Sequence, residues 1–170
     1  MNAVSANTTN ASSRQRRFQS QARSPITSVS DEAWARFVTA ADVQRTNAVS
    51  ESGGFGSYDM RPRRLVELGL ATDLGHVTAE TGRYSHTCVF VPPLTRERFL
   101  ADPVIQYNVF VRSISVYHDD VRSGKIVVPR GVSLAGALAI LHRGGTGALA
   151  TWPDLFERTR ALYEAAEGAF

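Results

Sequence analysis

One glutamate occupies a position where its pKa is expected to be raised. Glu51 begins the string ESGG, and apolar residues at helical spacing upstream predict a helix or helix pair over residues 31–50 that the glycine pair ends. At a helix C-terminus a carboxylate meets the negative end of the dipole, and Val49 and Phe55 would desolvate it. Both effects raise the pKa, as a general acid acting on a glycosidic oxygen requires. The alternative is an exposed glutamate beside a glycine turn.

Further motifs follow Glu51 in a definite order. GSYDM and RRLVELGL come soon after ESGG, FLADPVIQYNVFVRSISVYHDDV occupies residues 99–121, and SLAGALAILHRGGTGAL occupies residues 133–149. In this order the motifs resemble the catalytic segment of the lysozyme-like superfamily, especially the soluble lytic transglycosylases and phage-type muramidases. The resemblance covers most of residues 31–160 in outline. It implies a lysozyme-like α+β domain over residues 31–170, with a helical core and a small loop or β lobe.

The resemblance also implies roles for individual residues. Glu51 matches the catalytic acid of the family, and Asp59 stands where that family usually has a glutamine. That departure leaves two interpretations of Asp59 open: a second catalytic carboxylate that orients a water or stabilises the transition state, or an aspartate that caps a turn. The residues implied to shape the site or bind substrate are Ser52, Gly53, Tyr58, His142, Gly144 and Gly145.

His142 matches the aromatic residue or histidine of the family's buried-helix motif. On that basis it is expected to lie in the cleft close to Glu51, and the alternative is a histidine whose ring is satisfied by backbone groups at a helix end. His86, in the loop region, is interpreted as lining a sugar groove or as an ordinary loop residue. Cys88 is the only cysteine, which excludes an intramolecular disulfide, and its apolar surroundings predict an inert buried thiol. No metal and no organic cofactor are implied.

The elements that must position these residues are mostly helical. Pro62 and Gly69 mark the start and end of a short helix, and residues 71–94 are predicted to be a loop region with a small hairpin. TRERFLADP predicts a short helix, and Pro103 opens a longer one. LAGALAILH predicts a buried helix that ends at the glycine pair 144–145, and Thr151 is predicted to cap the last helix. The class is therefore mainly α.

The net positive charge of the chain comes from its first 30 residues. Residues 1–30 contain four arginines and no acid, so of the formal net charge of +3 the rest of the chain carries −1. This part is rich in Ser, Thr, Asn and Gln, and is predicted to be a disordered basic arm. A basic folded surface for nucleic acid is not indicated. No signal peptide and no membrane span are expected, because a continuous apolar stretch is missing.

The function implied by the resemblance is cleavage of peptidoglycan at the β-1,4 bond between N-acetylmuramic acid and N-acetylglucosamine. Hydrolysis and formation of a 1,6-anhydro product both remain open. Such a protein would be made in the cytoplasm and act on the cell wall, with a phage tail, holin-dependent release or a secretion apparatus delivering it. The alternatives are a catalytically inactive lysozyme-like module that binds cell wall or serves as a structural part of such a machine, and a helical interaction domain without sugar chemistry.

Overall fold

The computed structural model describes residues 23–43, 47–50, 53–78 and 84–170, apart from the side chains of residues 73–78 and 84–87. The described residues form six α-helices and one two-stranded antiparallel sheet, which confirms the mainly α class. In chain order the elements are α1 (Asp31–Ala41), α2 (Pro62–Glu67), β1 (Ala71–Thr78), β2 (Tyr84–Phe90), α3 (Arg96–Ala101), α4 (Pro103–Arg122), α5 (Leu134–Ala150) and α6 (Glu157–Ala166).

The described part of the chain divides into two compact units. The first unit contains residues 42–110, and the second contains residues 23–41 and 111–170. The helix α4 contributes residues to both, since the division falls between Phe110 and Val111. Each unit has buried residues of its own and is described separately below.

In the first unit, the short helix α2 leads into the hairpin of β1 and β2. Pro62 lies in the first turn of α2 as predicted, and Gly69, at φ 70, follows its last turn. The Leu70 amide then donates to the Leu65 carbonyl at 2.9 Å, and the Leu70 carbonyl accepts from Val91, the residue after β2. These bonds join α2 to the base of the hairpin. The prediction of a small hairpin in residues 71–94 is confirmed.

The two strands pair with a change of register. Ala71 lies opposite Phe90, Thr72 opposite Val89, Asp73 opposite Cys88, His76 opposite His86, Val77 opposite Ser85 and Thr78 opposite Tyr84. Between Asp73 and His76 the register shifts. At the base of the hairpin Ala71 and Phe90 are buried, whereas Val89 is 53% exposed. The two faces of the hairpin therefore differ in burial at its base.

Side-chain caps begin the helices that follow. The Thr95 hydroxyl accepts from the Arg98 amide at 3.1 Å at the start of α3, and the Asp102 carboxylate accepts from the Val104 amide at 2.9 Å at the start of α4. Ser133 caps α5 in the same way, accepting from the Gly136 amide at 3.0 Å. Such caps satisfy amides that have no partner within the helix. The sequence positions of these helix starts are confirmed.

The second unit is built around α5. Every residue from Ala135 to His142 is buried, as the apolar run predicted. The helix α6 packs along α5, and α1 lies against α6. Phe37 of α1 also contacts the ring of Phe170 at 5.4 Å between centroids, and the Arg36 guanidinium donates to the Ala169 carbonyl at 2.9 Å.

The end of the first helix and the start of the last helix differ from the predictions. The helix expected over residues 31–50 ends at Ala41, and none of the described residues between Asp42 and Ser50 is helical. The last helix begins at Glu157, while Thr151 instead ends α5, donating its amide to the Gly147 and Ala148 carbonyls. At both places backbone amides have partners outside a helix: the Val43 amide donates to the Ser57 carbonyl at 2.7 Å, and the Asp154 amide donates to the Thr151 carbonyl at 2.8 Å.

The chain is folded ahead of the predicted boundary at residue 31. Residues 1–22 lie outside the described residues, but Ile26 and Val29 are 2% and 7% exposed. The Ser24 amide donates to the Asp31 carboxylate at 2.7 Å, which fixes the chain ahead of α1. The folded part therefore begins before the predicted boundary at residue 31, because two apolar side chains upstream of it are buried.

Two truncations test this boundary. Removal of residues 1–22 is expected to leave the melting temperature nearly unchanged, because these residues have the composition of a disordered segment. Removal of residues 1–28 also removes the buried Ile26 and is expected to lower the free energy of unfolding by about 2–5 kcal/mol. Thermal and urea unfolding of both variants would measure the difference. Equal stability of the two would contradict a packing role for Ile26.

A substitution in α5 tests the core of the second unit. Leu138 is fully buried, so Leu138→Ala is expected to destabilise the protein by about 2–5 kcal/mol through lost burial and the remaining cavity. Val127→Ala is the control, because Val127 is 82% exposed and exposed substitutions usually change stability by less than about 0.5 kcal/mol. Urea unfolding of both variants would be compared with the unsubstituted chain.

Candidate functional site

The residues on either side of Glu51 form a tight turn. The Ser50 amide donates to the Gly54 carbonyl at 2.7 Å, and the Gly53 amide donates to the Ser50 carbonyl at 2.8 Å. The Ser50 hydroxyl also accepts from the Gly54 amide at 2.9 Å. Three hydrogen bonds therefore close this turn, which we call the Ser50–Gly54 turn. Glu51 and Ser52 themselves lie outside the described residues.

The chain then reverses a second time. Phe55 bridges Val49 on one side and Met60 on the other, and its amide and carbonyl exchange hydrogen bonds of 3.0 Å with Met60. The segment from Gly56 to Asp59 is the second turn. Residues 47–50 and 53–60 thus form two linked reversals that share Phe55.

This geometry corrects the prediction that Glu51 ends a helix. Val49 and Ser50 pair with Phe55 and Gly54, so their backbone groups are engaged across a turn instead of along a helix. Gly53 adopts φ 79, a left-handed conformation that glycine accepts without strain and that allows the reversal. The helix-dipole argument for a raised pKa of Glu51 therefore has no support from the residues that precede it.

Asp59, the last residue of the second turn, has a buried side chain that packs against the first turn. Its side chain is 5% exposed, and its carboxylate lies against the α-carbon of Gly54, where any Cβ would collide with Oδ1 and Cγ. The Arg61 guanidinium is 3.5 Å from Asp59 Oδ2. Asp59 also has φ 49, which aspartate tolerates better than most residues. The burial of the carboxylate disfavours a direct contact between Asp59 and a substrate, and the turn-capping interpretation stays a prediction.

Tyr58 belongs to the core of the first unit. It is fully buried and stacks on Phe110 with ring centroids 4.3 Å apart, while Tyr107 lies at 6.3 Å. A ring without exposed surface has no face to offer a sugar. The predicted substrate-binding role of Tyr58 is therefore not supported, because hydrophobic packing takes its side chain inward.

Gln106 fixes the second turn. Its carbonyl oxygen accepts from the Ser57 amide at 2.8 Å, and its side-chain nitrogen donates to the Phe99 and Leu100 carbonyls at 2.9 and 3.0 Å. The amide also fills the space beside Gly56, where a Cβ would collide with it. No role for Gln106 was predicted from the sequence. Its position after Asp-Pro, in the segment that resembled a known family, was the available signal.

Aromatic rings of β2 and α3 pack against the linked turns. Phe55 contacts Phe90 edge to face at 5.4 Å between centroids, and Phe90 contacts Phe99 at 5.3 Å. The Arg96 guanidinium lies 5.7 Å from the centroid of Phe55. The turns are therefore attached to β2 and α3 by burial of apolar surface.

The remaining predicted site residues lie in the second unit. His142 is buried near the end of the first part of α5, and the helix is interrupted at Gly145, with φ 70 and ψ −170. A Cβ on Gly144 would collide with the Ala148 side chain and would lie 3.5 Å from Thr159 Oγ1. The helix was predicted to end at the glycine pair, but it is only interrupted at Gly145 and continues to Ala150, and Gly144 allows the close approach of Ala148. Gly53, Tyr58 and Asp59 belong to the first unit.

The arginines that follow Asp59 are engaged in ion pairs. The Glu67 carboxylate lies one turn further along α2 than both of its partners. Its Oε1 is 3.3 Å from Arg63 Nε, and its Oε2 is 2.9 Å from Arg64 Nη1. Among the side chains that the structure describes, no group of three His, Cys, Asp or Glu could hold a metal ion; those of residues 73–78 and 84–87 are not among them. None of the described helices is long and apolar enough to cross a membrane.

Comparison of the chain with protein-family models, with curated proteins and with solved structures finds no match. Functional proposals for this chain therefore rest on its own residues and on the motifs in its sequence.

Substitution of Gly54 tests the link between the two turns. Gly54→Ala is expected to destabilise the protein by about 1–3 kcal/mol, because the new methyl group would overlap the Asp59 carboxylate. Gly147→Ala is the control: nothing lies within 4 Å of its Cβ position, and alanine in a helix is favoured over glycine by up to about 1 kcal/mol.

The double variant with Asp59→Gly makes this test specific. If the carboxylate causes the collision, Gly54→Ala is expected to cost less in the Asp59→Gly background, with a coupling of about 0.5–3 kcal/mol measured by urea unfolding. Equal costs in both backgrounds would contradict the contact between Gly54 and Asp59.

Proposed function

We propose that this protein cleaves the glycan strand of peptidoglycan at the bond between N-acetylmuramic acid and N-acetylglucosamine, with Glu51 as the general acid. The observation that carries the proposal is the Ser50–Gly54 turn, whose three hydrogen bonds join Ser50 to Gly53 and Gly54, the described residues nearest to Glu51 in sequence. A general acid acts only when it is held within hydrogen-bonding reach of the leaving oxygen. Flanking residues that are fixed by hydrogen bonds meet that requirement better than a mobile loop would.

Asp59 acts in this proposal as a positioning residue. Its burial and its ion pair with Arg61 keep the carboxylate away from solvent and therefore from a bound glycan. Its packing on Gly54 instead supports the base of the Ser50–Gly54 turn. The arrangement favours a mechanism with a single catalytic carboxyl group, Glu51, which protonates the glycosidic oxygen. The C6 hydroxyl of the muramyl residue or a water then attacks its C1.

A second candidate function has its own supporting observation. Because residues 47–50 are not helical, the C-terminal end of a helix dipole does not contribute to keeping Glu51 protonated. Without a raised pKa a glutamate is a weak acid catalyst near neutral pH. The second candidate is therefore a catalytically inactive module that binds cell wall, such as a structural part of a phage tail or a secretion machine.

Glu51→Gln tests the first proposal directly. Glutamine keeps the size and hydrogen-bonding reach of the side chain but cannot donate a proton to the leaving oxygen. Release of soluble fragments from purified peptidoglycan is expected to fall by a factor on the order of 10²–10⁴, with glycan binding retained. Glu97→Gln is the matched control, because Glu97 is an exposed glutamate in the first turn of α3 in the same unit.

The results separate the candidates. Mass analysis of the products from the unsubstituted protein identifies the bond and shows whether a reducing end or a 1,6-anhydro end is formed. Binding of glycan without cleavage would support the inactive module. Cleavage that Glu51→Gln leaves unchanged would show that the acid is another residue, and a chain that neither binds nor cleaves peptidoglycan would contradict both candidates.

A further inference from the structure

Aromatic side chains lie at the surface of the second unit, along α6 and the segment before it. Phe156, which directly precedes α6, is 86% exposed. Trp152 and Tyr163 are half-buried, and their ring centroids lie 4.6 Å apart with an angle of 58° between the ring planes. Grouped apolar side chains at a surface often mark a place where another molecule binds. We call Trp152, Phe156 and Tyr163 the aromatic surface.

Helical geometry extends the aromatic surface along one side of α6. Phe156, Arg160, Tyr163 and Glu167 follow one another at intervals of four, three and four residues. Residues at these intervals lie on the same side of a helix. Phe156 and Tyr163 are two turns apart, which corresponds to about 11 Å along the helix axis. An extended ligand that lies along α6 therefore reaches both rings.

Hydrogen bonds and a buried side chain hold the segment that carries Trp152. The Trp152 amide donates to the Leu149 carbonyl at 3.3 Å. The Arg160 guanidinium donates through Nη2 to the Pro153 carbonyl at 3.1 Å and to the Leu155 carbonyl at 3.5 Å. The Leu155 side chain is buried. The rings are thus presented by a fixed backbone, which lowers the entropy lost when a ligand binds.

Tyr163 and Glu167 are held against α5. A Cβ on Gly136 would collide with the Tyr163 ring and with the Glu167 carboxylate, so both side chains lie close to the backbone of α5. The two side chains also share a hydrogen bond. The polar groups beside the rings therefore have defined positions, as a site that recognises hydroxyl groups requires.

The groups of the aromatic surface and its edge fit a sugar. A sugar ring has faces made of C–H groups, which stack on an aromatic ring, and an edge of hydroxyls that both donate and accept hydrogen bonds. Arg160 has five N–H donors, and only those on Nη2 take part in the contacts described above. Glu167 supplies carboxylate oxygens that accept. Donors and acceptors are therefore both present beside the rings.

The charges of this part of the chain narrow the class of ligand. Residues 151–170 contain two arginines and four acidic residues, so their formal net charge is −2, which disfavours an anionic ligand. An apolar helix of a protein partner would desolvate Arg160 and Glu167 without giving them hydrogen-bond partners. An uncharged ligand with both apolar faces and hydroxyl groups avoids both costs.

We propose that the aromatic surface binds an uncharged β-1,4-linked glycan, with sugar rings stacked on Trp152 and Phe156. Hydroxyl groups at the ring edges bond to Arg160 and Glu167. A β-1,4-linked chain is extended, so it can follow α6 over two turns. The site lies in the second unit, whereas the Ser50–Gly54 turn belongs to the first. The proposal therefore stands whether or not the chain cleaves peptidoglycan.

Tryptophan fluorescence of the full chain measures this binding. The chain has two tryptophans, and Trp34 is fully buried, so a change of emission on addition of a ligand reports mainly on Trp152. The probes are the β-1,4-linked hexamers of N-acetylglucosamine and of glucose, and the α-1,4-linked hexamer of glucose is the control. A saturable change is expected with at least one β-1,4-linked hexamer and not with the control.

Two substitutions identify the surface. Phe156→Ser keeps the fluorescent reporter and is expected to weaken binding by more than about 10-fold, a loss typical of an aromatic side chain at the centre of a binding surface. Its melting temperature is expected to stay nearly unchanged, because Phe156 is exposed. Trp152→Ala is expected to weaken binding equally when it is measured by calorimetry. Val127→Ser is the matched control, because Val127 is an apolar residue of the same unit that is 82% exposed.

The outcomes are separable from those for Glu51. Glu51→Gln is expected to give the same fluorescence titration as the unsubstituted chain, so a loss of cleavage with retained binding leaves this proposal intact. Three results would overturn it: no saturable binding of either β-1,4-linked hexamer, unchanged affinity in Phe156→Ser, or an equal loss of affinity in Val127→Ser. A dimer in sedimentation that Phe156→Ser dissociates would assign the surface to a second copy of the chain instead.

Discussion

The buried side-chain amide of Gln106 joins three parts of the first unit. Its three hydrogen bonds connect the start of α4 with the end of α3 and with the turn at Ser57. A buried amide that lost these partners would cost more free energy than the bonds themselves contribute, so the surrounding backbone is tightly constrained. Gly56 is required beside it because a side chain there would occupy the space of the amide. The position of Asp59 three residues later depends on this constraint.

From Asp59 the constraint reaches the candidate site. The carboxylate packs on Gly54, and Gly54 closes the Ser50–Gly54 turn through bonds to both the backbone and the hydroxyl of Ser50. A buried polar chain of this kind specifies one arrangement more strongly than apolar packing does, since each member has few alternative partners. The proposal for Glu51 rests on this hydrogen-bonded turn, since the helix predicted before Glu51 ends at Ala41. It also gives Asp59 a role that does not require contact with substrate.

The hairpin in the same unit is attached to its surroundings at its base. Among the hairpin side chains that the structure describes, Ala71 and Phe90 are buried, while Thr72 and Val89 on the opposite face are exposed. Between Asp73 and His76 the register of the ladder shifts, and a shift of this kind locally disrupts the pairing of the two strands.

The sequence by itself determined the elements that depend on local signals. Pro62 and Gly69 bound α2, Thr95 and Ser133 cap α3 and α5, and the continuous apolar run marks α5 as buried, because capping and periodicity act within a few residues. Only the tertiary structure decided the end of α1, the burial of Tyr58 and the register of the hairpin. Each of these depends on partners distant in the chain, such as Phe110 for Tyr58 and Cys88 for Asp73. The apolar pattern that predicted a helix over residues 31–50 could not reveal that Val49 pairs with Phe55, since pairing across a turn competes with helix formation through bonds that the local pattern does not contain.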